Sequence, residues 1–228
     1  MKPVQGTPAK PKSSARQAVG ELRRLIFEGE LSAGSNHLES ELADRLNMSR
    51  TPVREAVLML EAQGLLEVRP RKGVRILPVS ADDMREIYDV VTELESLAAE
   101  SAAKAGYTND DLTLLSETIT AMDNALSRED REAWAEADDR FHAELVRLGR
   151  NSRIQSIVAM LADQVRRARA LTLYLRPLPL KSNEDHRAVL DAIQRGDAAT
   201  ARRIHHAHRT HARGVITELL ERHRLHNL

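Results

Sequence analysis

The sequence predicts a mainly α-helical fold, with an N-terminal helix-turn-helix unit that carries a small β hairpin and a C-terminal all-α antiparallel helical bundle. Aromatic residues make up 3% of the 228 residues and charged residues 30%, which is typical of helical proteins and not of sheet-rich ones. Apolar residues recur at helical spacing over most of the chain, and they alternate as in a strand only between residues 65 and 77.

Composition divides the chain into three segments. Residues 1–12 are rich in proline and lysine, so we expect a disordered basic tail. We expect residues 13–78 to form one domain and residues 79–228 a second. Residues 1–78 carry 13 Lys and Arg against 9 Asp and Glu, a net charge of +4, and residues 79–228 carry −4. A basic front and an acidic back favour a nucleic-acid reader joined to a regulatory body, although the formal net charge of the whole chain is zero.

The first domain is predicted to begin with a helix from about Ser13 to Glu28, followed by two short helices around a tight turn near Asn47. Ser49 or Thr51 is expected to cap the second of these two helices, with Pro52 in its first turn, because proline costs little there. The apolar stripe of that helix consists of Val53, Ala56, Val57 and Leu60, and Gly64 ends it.

Two arginines mark the N-terminal end of this second helix. Arg50 and Arg54 are four residues apart, so they project from the same side. The N-terminal residues of a recognition helix read base edges in the major groove, and the planar guanidinium pairs well with guanine or phosphate. Two arginines alone also fit an ordinary solvated helix face. The turn, the caps and the segment that follows favour DNA binding.

The segment after Gly64 is predicted to be a hairpin with a basic tip. Apolar residues alternate with charged ones on both sides of Pro70-Arg-Lys-Gly73. Arg71, Lys72 and the flexible Gly73 are therefore placed to approach a phosphate or a minor groove, as the wing of a winged helix does.

Several motifs of this domain resemble the winged-helix domain of GntR-family transcription regulators: Gly29-Glu-Leu-Ser-Ala-Gly34, Ser49-Arg-Thr-Pro-Val-Arg-Glu-Ala56 and the hairpin from Gly64 to Val74. The resemblance implies binding to double-stranded operator DNA. Ser40 stands where relatives often carry a basic residue, so one contact is expected to differ. The predicted DNA-binding residues are Ser40, Ser49, Arg50, Thr51, Arg54, Arg71, Lys72 and Gly73.

The second domain is predicted to contain six helices. Ser80 and Thr108 each precede an Asp by three residues, an arrangement that resembles a capping box, and Asp197 is the expected N-cap of the last helix. The expected helices run from Ser80 to Gly106, from Thr108 past Leu126, and over about 131–149, 152–174, 183–195 and 197–222, with a linker at Arg176–Ser182.

Four polar side chains fall on the inward stripes of three of these helices. Asp138 and His142 share the apolar face of the third helix, His186 precedes the apolar residues of the fifth, and His208 lies on the stripe of the last. A buried carboxylate is costly unless it is paired or bound to a metal. Inward side chains of facing helices build metal sites in bundles. The chain has nine histidines, however, so core histidines are an equally good explanation from periodicity alone.

A second resemblance favours the metal site. The motifs Asp138-Asp-Arg-Phe-His142, Asp185-His186 and the run to His208 resemble the FCD-type effector domain of the FadR subfamily of GntR regulators. The resemblance implies that Asp138, His142, His186 and His208 bind a divalent metal in an effector cavity. Zn, Ni, Mn or Fe suits a carboxylate with imidazoles. In one position the chain departs from the family, because Val91 stands where an arginine commonly precedes Glu95.

Composition excludes some chemistry. The chain has no cysteine, so disulfides and thiolate ligands are impossible. No apolar run approaches the roughly 18 residues needed to span a bilayer, and the N-terminus lacks a hydrophobic signal core, so we expect a cytoplasmic protein without a membrane partner.

Together these observations predict a metabolite-responsive regulator, in particular a repressor, that is not an enzyme. We expect a homodimer on a pseudo-palindromic operator, with a small organic acid or another metabolite as effector. Two alternatives stay open at this point. In the first, the bundle is a metalloenzyme and the winged helix is an attachment module. In the second, the bundle serves only for dimerisation and its inward histidines are core residues.

Overall fold

The structure is a computed structural model that describes residues 14–223. The basic tail expected at residues 1–12 lies outside the described residues. The chain forms two compact units, and the boundary between them along the sequence lies between Leu77 and Pro78. Within the described residues, no helix is both long and apolar enough to cross a membrane.

The N-terminal unit contains three helices and three short strands within residues 14–77. In chain order they are α1 (Ser14–Phe27), β1 (Asn36–His37), α2 (Glu39–Arg45), α3 (Arg50–Ala62), β2 (Leu66–Arg69) and β3 (Gly73–Ile76). β3 is the central strand of an antiparallel sheet and pairs with β1 on one side and with β2 on the other. The predicted hairpin is therefore present, and β1, which the sequence analysis did not predict, adds a third strand.

The core of this unit forms between α1, α3 and the sheet. The α3 residues expected on the inner face, Val53, Ala56, Val57 and Leu60, are all fully buried. Ser49 lies at the N-cap position of α3, but its side chain makes no capping hydrogen bond, so the prediction of a side-chain cap by Ser49 or Thr51 is wrong. A comparable contact stabilises α2 instead, because the Glu41 carboxylate accepts a hydrogen bond of 2.9 Å from the Leu38 backbone N–H.

The C-terminal unit is all-helical over its described residues. Its helices are α4 (Ala81–Lys104), α5 (Thr113–Ser127), α6 (Arg131–Leu148), α7 (Ser152–Thr172), α8 (Leu180–Gln194) and α9 (Ala198–Arg222). The expected caps form at two of them, since Ser80 accepts from Asp83 N and Asp197 accepts from Thr200 N.

Two predicted boundaries in this unit are wrong. Thr108 and Asp111 make the expected reciprocal hydrogen bonds, but α5 begins only at Thr113, after an intervening turn. α8 begins at Leu180, inside the predicted linker, because Pro179 occupies its N-cap position and proline is well tolerated at the start of a helix.

The core of the bundle lies between α4, α5, α6, α8 and α9. Trp134, Phe141 and Leu145 of α6 are buried in it, as their spacing predicts. The indole N–H of Trp134 donates a 2.8 Å hydrogen bond to Asn183 Oδ1 of α8. This contact links α6 to α8 through their side chains, and deeper in the bundle His186 Nε2 of α8 lies 3.5 Å from Asp138 Oδ1 of α6.

Candidate DNA-binding and metal-binding sites

The start of α3 presents a basic surface to solvent. Arg50, Thr51 and Arg54 are exposed, and so is Ser49 directly before them. Within the described residues, neither Arg50 nor Arg54 forms an ion pair, so both guanidinium groups keep their donors for an external partner. Ser40 is half-buried in the first turn of α2.

The hairpin tip adds a second basic surface. Arg71 and Lys72 are exposed and make no ion pair within residues 14–223. Arg71 and Gly73 both have positive φ values, of 65° and 82°. A Cβ atom at Gly73 would lie 2.3 Å from the carbonyl oxygen of His37 in β1, so only glycine fits here. The sequence analysis explained Gly73 by its flexibility in the hairpin. The structure gives a different reason, which is the close approach of β1.

In the bundle, the four predicted metal ligands converge. Asp138, His142, His186 and His208 are all buried, and one ligand atom from each lies within 4.8 Å of the others. α6 contributes two of them, from successive turns of one face, while α8 and α9 contribute one each. His186 also stacks on Phe141, with ring centroids 4.1 Å apart, which restricts the orientation of its imidazole.

The distances between these atoms match the spacing of ligands around one ion. His186 Nε2 lies 3.2 Å from His208 Nε2 and 3.5 Å from Asp138 Oδ1, and His142 Nε2 lies 3.6 Å from Asp138 Oδ2. Ligands at about 2.0–2.1 Å from a tetrahedral ion are separated by about 3.4 Å. His142 Nε2 has no hydrogen-bond partner within the described residues although it is buried. The donor set and its spacing therefore fit a divalent metal.

The electrostatics favour the ligating forms of these side chains. Burial holds the pKa of His142 and of His186 well below the usual range, so both imidazoles are neutral at pH 7. Burial alone would raise the pKa of Asp138, but the charge and hydrogen bond of Arg169 act together with His142 and His208 and hold that pKa below its usual value. Metal ligands must be neutral histidines and ionised carboxylates, which is the state of His142, His186 and Asp138.

Arg169 of α7 is a partner of this cluster that sequence analysis missed. Its Nη2 pairs with Asp138 Oδ2, and its Nη1 donates a 2.8 Å hydrogen bond to Asp139 Oδ1. The guanidinium is buried, with its Cζ 6.0 Å from the centroid of the Trp134 ring. The sequence predicts an inward face for α7 that is entirely apolar and consists of Ile154, Val158, Leu161, Val165 and Ala168. A buried arginine on this helix is therefore indicated only indirectly, by the need of the Asp138 carboxylate for a partner.

A second buried group adjoins the first and shares His142 with it. Glu95 of α4 and His205 of α9 are both buried, and together with His142 they form another set of potential ligands. Arg209 is also buried and lies with its Nε 3.2 Å from Glu95 Oε2. On α9, the sequence analysis placed His208 on the inward stripe and did not include His205.

The two groups use opposite nitrogens of His142. Its Nε2 faces Asp138, and its Nδ1 lies 3.2 Å from Glu95 Oε2. A carboxylate beside one ring nitrogen fixes the tautomer and leaves the other nitrogen for a metal. Val91, by contrast, is buried among the apolar side chains of α4, α7 and α9. The position that holds an arginine in the resembled family therefore contributes no charge here.

A basic winged helix joined in one chain to a helical bundle with a buried polar cluster defines a class of protein, the helix-turn-helix transcription regulators. Residues 14–76 match the family model of bacterial regulatory proteins of the gntR family, and residues 86–211 match that of the FCD domain. The chain belongs to the GntR family, with an FCD domain as its C-terminal unit.

Individual relatives agree with this assignment. An uncharacterised HTH-type transcriptional regulator from Streptomyces ambofaciens is 31% identical over 222 residues, which span 95% of this chain and 89% of that protein. The HTH-type transcriptional repressor RspR from Escherichia coli is 26% identical over 182 residues, 80% of this chain and 79% of that one. The fold is similar to that of E. coli McbR/YncC, with a TM-score of 0.76 at 22% identity, over 91% of this chain and 99% of that chain.

The family and the relatives distinguish between a transcription regulator and a metalloenzyme. They are DNA-binding transcription regulators and not enzymes. The metalloenzyme alternative for the bundle is therefore wrong.

Proposed function

We propose that this chain is a metabolite-responsive transcriptional repressor of the FadR subfamily, whose bundle holds a divalent metal and a small carboxylate-containing effector. The observation that carries the proposal is the convergence of Asp138, His142, His186 and His208, four buried ligand atoms within 4.8 Å of one another. A metal held there would supply a fixed positive charge that attracts the oxygens of an acid. Zinc, nickel, manganese and iron all suit this ligand set.

The winged helix is proposed to read operator DNA. Arg50, Thr51 and Arg54 are proposed to face the major groove, with Ser40 and Ser49 at the backbone, and Arg71, Lys72 and Gly73 at a neighbouring phosphate or minor groove. The support is that the four basic side chains of this set are exposed and make no ion pair within residues 14–223.

We also propose a homodimer on a pseudo-palindromic operator, with the dimer contacts in the bundle. α4 exposes Val90 and Leu97, and α7 exposes Ile157 and Met160. The two helices pack together through Leu94, Ala98, Ile154 and Val158. Exposed apolar side chains on two adjacent helices are the composition expected of an interface between subunits.

The metal content of the purified chain tests the core of the proposal. Wild-type protein prepared without chelator should hold about one divalent ion per chain by elemental analysis. His208→Ala and Asp138→Asn should each weaken metal binding by more than about a hundredfold, because they remove a ligand and not only its support. His206→Ala is the matched control, since His206 lies two residues away on α9 with its side chain half-exposed beside Glu93.

His205→Ala separates the two buried groups. The proposal expects it to leave metal binding within a few-fold of the wild type. If His205→Ala abolishes metal binding while His208→Ala does not, the ion belongs to the group of Glu95, His142 and His205. If the wild type holds no metal and takes none up on titration, these residues are core histidines and the metal part of the proposal is wrong.

A further inference from the structure

A cavity of about 150 Å³ opens into the bundle between the start of α6, the segment that joins α7 to α8, and α9. His208 and Asp185 form part of its wall, while Asp138, His142 and His186 do not. An engineered protein cavity of about this size binds benzene, so the space suits a ligand with a body of about six non-hydrogen atoms.

Two arginines line this cavity without a carboxylate partner among residues 14–223. Arg176 donates from Nη2 to the Arg169 carbonyl at 3.0 Å and from Nε to the Thr172 carbonyl at 3.3 Å. Arg131 donates from Nη1 to the carbonyls of Leu173 and Arg176, at 3.2 and 2.8 Å. Each guanidinium carries five N–H donors, so both keep donors for a further acceptor.

The charge of Arg176 is poorly compensated. Burial, together with the nearby charge of Arg169, lowers the pKa of Arg176 to about 10. The group is still protonated at pH 7, and an anion beside it would relieve this cost.

Three acidic residues also line the cavity, and none of them pairs with Arg131 or Arg176 in the described part of the chain. Asp185 pairs with Lys181, and Asp130 accepts the 3.0 Å hydrogen bond from Ala133 N that caps α6. Glu129 is exposed to solvent. The two arginines therefore keep donors that no carboxylate of residues 14–223 takes up.

The remaining wall is apolar and reaches the metal cluster at one residue. Trp134, Leu173 and Leu178 contribute apolar surface. The Nδ1 of His208 lies 3.6 Å from Asp185 Oδ2, and its Nε2 faces His186 at 3.2 Å. A ligand in the cavity would therefore lie against a proposed metal ligand without belonging to the four-residue set.

We propose that this cavity binds a small organic monocarboxylate, with its carboxylate on Arg176 and Arg131 and its carbon skeleton against Trp134 and the neighbouring leucines. The inference rests on the proposed effector response, because it assigns the effector's carboxylate a site outside the metal cluster. A ligand there would connect the α7–α8 segment to His208 of α9.

Tryptophan fluorescence tests this directly, because Trp134 is the single tryptophan of the chain. The full chain, metal-loaded or treated with chelator, is titrated with butyrate and benzoate and, as neutral controls, with butyramide and benzamide. The carboxylates should change the fluorescence saturably and the amides should not. Arg176→Gln should weaken carboxylate binding by about tenfold or more, as expected for the loss of a charge-assisted hydrogen bond.

Matched variants keep the test specific. Arg176→Lys should retain part of the affinity, and Arg131→Gln should lose affinity less strongly than Arg176→Gln. Arg187→Gln should bind as the wild type, since Arg187 lies on α8 with its side chain half-exposed and pairs with Asp123. If Arg176→Gln does not fold, Arg131→Gln and the comparison of acid with amide still decide the question.

The outcomes separate this inference from the proposed function. Carboxylates that bind only the metal-loaded chain, equally well in Arg176→Gln, would place the effector at the metal and overturn the inference while the proposed function stands. Absence of saturable carboxylate binding in both states would overturn it as well. A third outcome is that the wild-type chain takes up no metal on titration, while carboxylate binding still depends on Arg176. This outcome would support the inference and remove the metal from the proposed function.

Discussion

The buried carboxylate of Asp138 has two possible partners, Arg169 or a metal ion. Arg169 pairs with Oδ2 of Asp138, the same atom that lies 3.6 Å from His142 Nε2. A metal bound by the four-residue cluster would compete with the guanidinium for this oxygen. Arg169 therefore stabilises the chain without metal, and a metal that uses Oδ2 would displace or share that contact.

We predict that Arg169→Met destabilises the metal-free bundle by about 3–5 kcal/mol, because it leaves a buried carboxylate without a charge partner. Added zinc should restore more stability to this variant than to the wild type, since the ion no longer competes with a guanidinium. Urea unfolding with zinc and with chelator measures both effects.

Arg166→Met is the matched control for this prediction. Arg166 lies one turn earlier on α7 and pairs with Asp139 at 2.9 Å, but its side chain is 47% exposed. Its loss should cost less than about 1 kcal/mol. Equal stability of both variants in chelator would show that Arg169 does not compensate Asp138.

Arg54 is the recognition-helix residue whose replacement is most informative. Arg54→Ala should cost about 1–3 kcal/mol of operator binding and relax specificity at one base pair. Lys72→Ala should instead weaken binding to all sequences similarly and reduce the salt slope by about 1. Binding titrations of operator and scrambled duplex over a range of salt concentrations distinguish the two.

Arg187→Ala controls for net charge in this experiment, because it removes one positive charge from the bundle and none from the winged helix. It should bind operator as the wild type does. Unchanged binding by a folded Arg54→Ala protein would mean that α3 does not read the operator.

Among the helices and strands, those with strong end signals were predictable from sequence and those shaped by tertiary contacts were not. Ser80 and Asp197 identify the starts of α4 and α9 because their side chains satisfy free backbone N–H groups locally. β1 is only two residues long, so it has no alternation to detect, and it exists because β3 offers an edge for pairing.

α9 shows how a small error of period moves a candidate ligand. The sequence predicts an inward stripe on α9 that follows a repeat of 3.5 residues through Ala201, Ile204, His208, Val215 and Leu219. A straight α-helix has 3.6 residues per turn, so its inward face drifts relative to that repeat over 25 residues. The structure buries His205, Ile216 and Leu220, and it leaves Ile204, Val215 and Leu219 only partly buried. His208 faces the core under a repeat of 3.5 or of 3.6 residues, whereas His205 faces it only under the repeat of 3.6 residues.

The wing offers a matched pair of glycine substitutions. Gly73→Ala should destabilise the winged helix by about 1–3 kcal/mol, because Gly73 has a φ of 82° and a Cβ there would lie 2.3 Å from the His37 carbonyl oxygen. Operator affinity should fall with it, since the strand pairing that holds the wing is disturbed. Thermal unfolding and DNA titration measure the two effects.

Gly20→Ala should do the opposite. Gly20 is exposed within α1, with nothing within 4 Å of an added Cβ, so alanine should stabilise the helix by about 0.5–1 kcal/mol. Operator affinity should be unchanged. A Gly73→Ala protein as stable as Gly20→Ala would contradict the close approach of β1 to the wing.

Taken as a whole, the chain separates its charges by unit. The residues up to 78 carry a net +4 and the rest −4. Lys2, Lys10 and Lys12 supply three of the four positive charges, so residues 13–78 carry a net charge of only +1. The attraction of the winged helix to DNA therefore depends on the local basic surfaces at the start of α3 and at the hairpin tip. The bundle buries several of its ionisable groups. His142, His186 and His205 are buried there, together with Glu95, Asp138, Arg169 and Arg209. Such a core makes the stability of the bundle dependent on pH.

Burial holds the pKa of His142, His186 and His205 well below the ordinary value of 6.5 in the folded chain. As the pH falls below about 6.5, the unfolded chain binds protons that these folded imidazoles do not, so the free energy of unfolding decreases. The stabilisation is complete above about pH 7 and is lost as the pH falls from about 6.5 toward the lower folded values. Each histidine contributes a slope of up to about 1.4 kcal/mol per pH unit.

The measurement is urea unfolding of the chelator-treated chain between about pH 5 and 8, followed by the fluorescence of Trp134, which reports on the bundle alone because it is the single tryptophan. The free energy of unfolding should be flat near pH 7–8 and should fall steeply below about 6.5. His205→Gln should reduce that slope by about a third, whatever its effect on absolute stability, because it removes one of the three imidazoles whose pKa burial lowers. His206→Ala should leave the slope as in the wild type, since its side chain is 45% exposed. A wild-type curve that stays flat down to pH 5 would contradict this prediction, because it would show that the folded imidazoles take up protons over the same pH range as the unfolded ones.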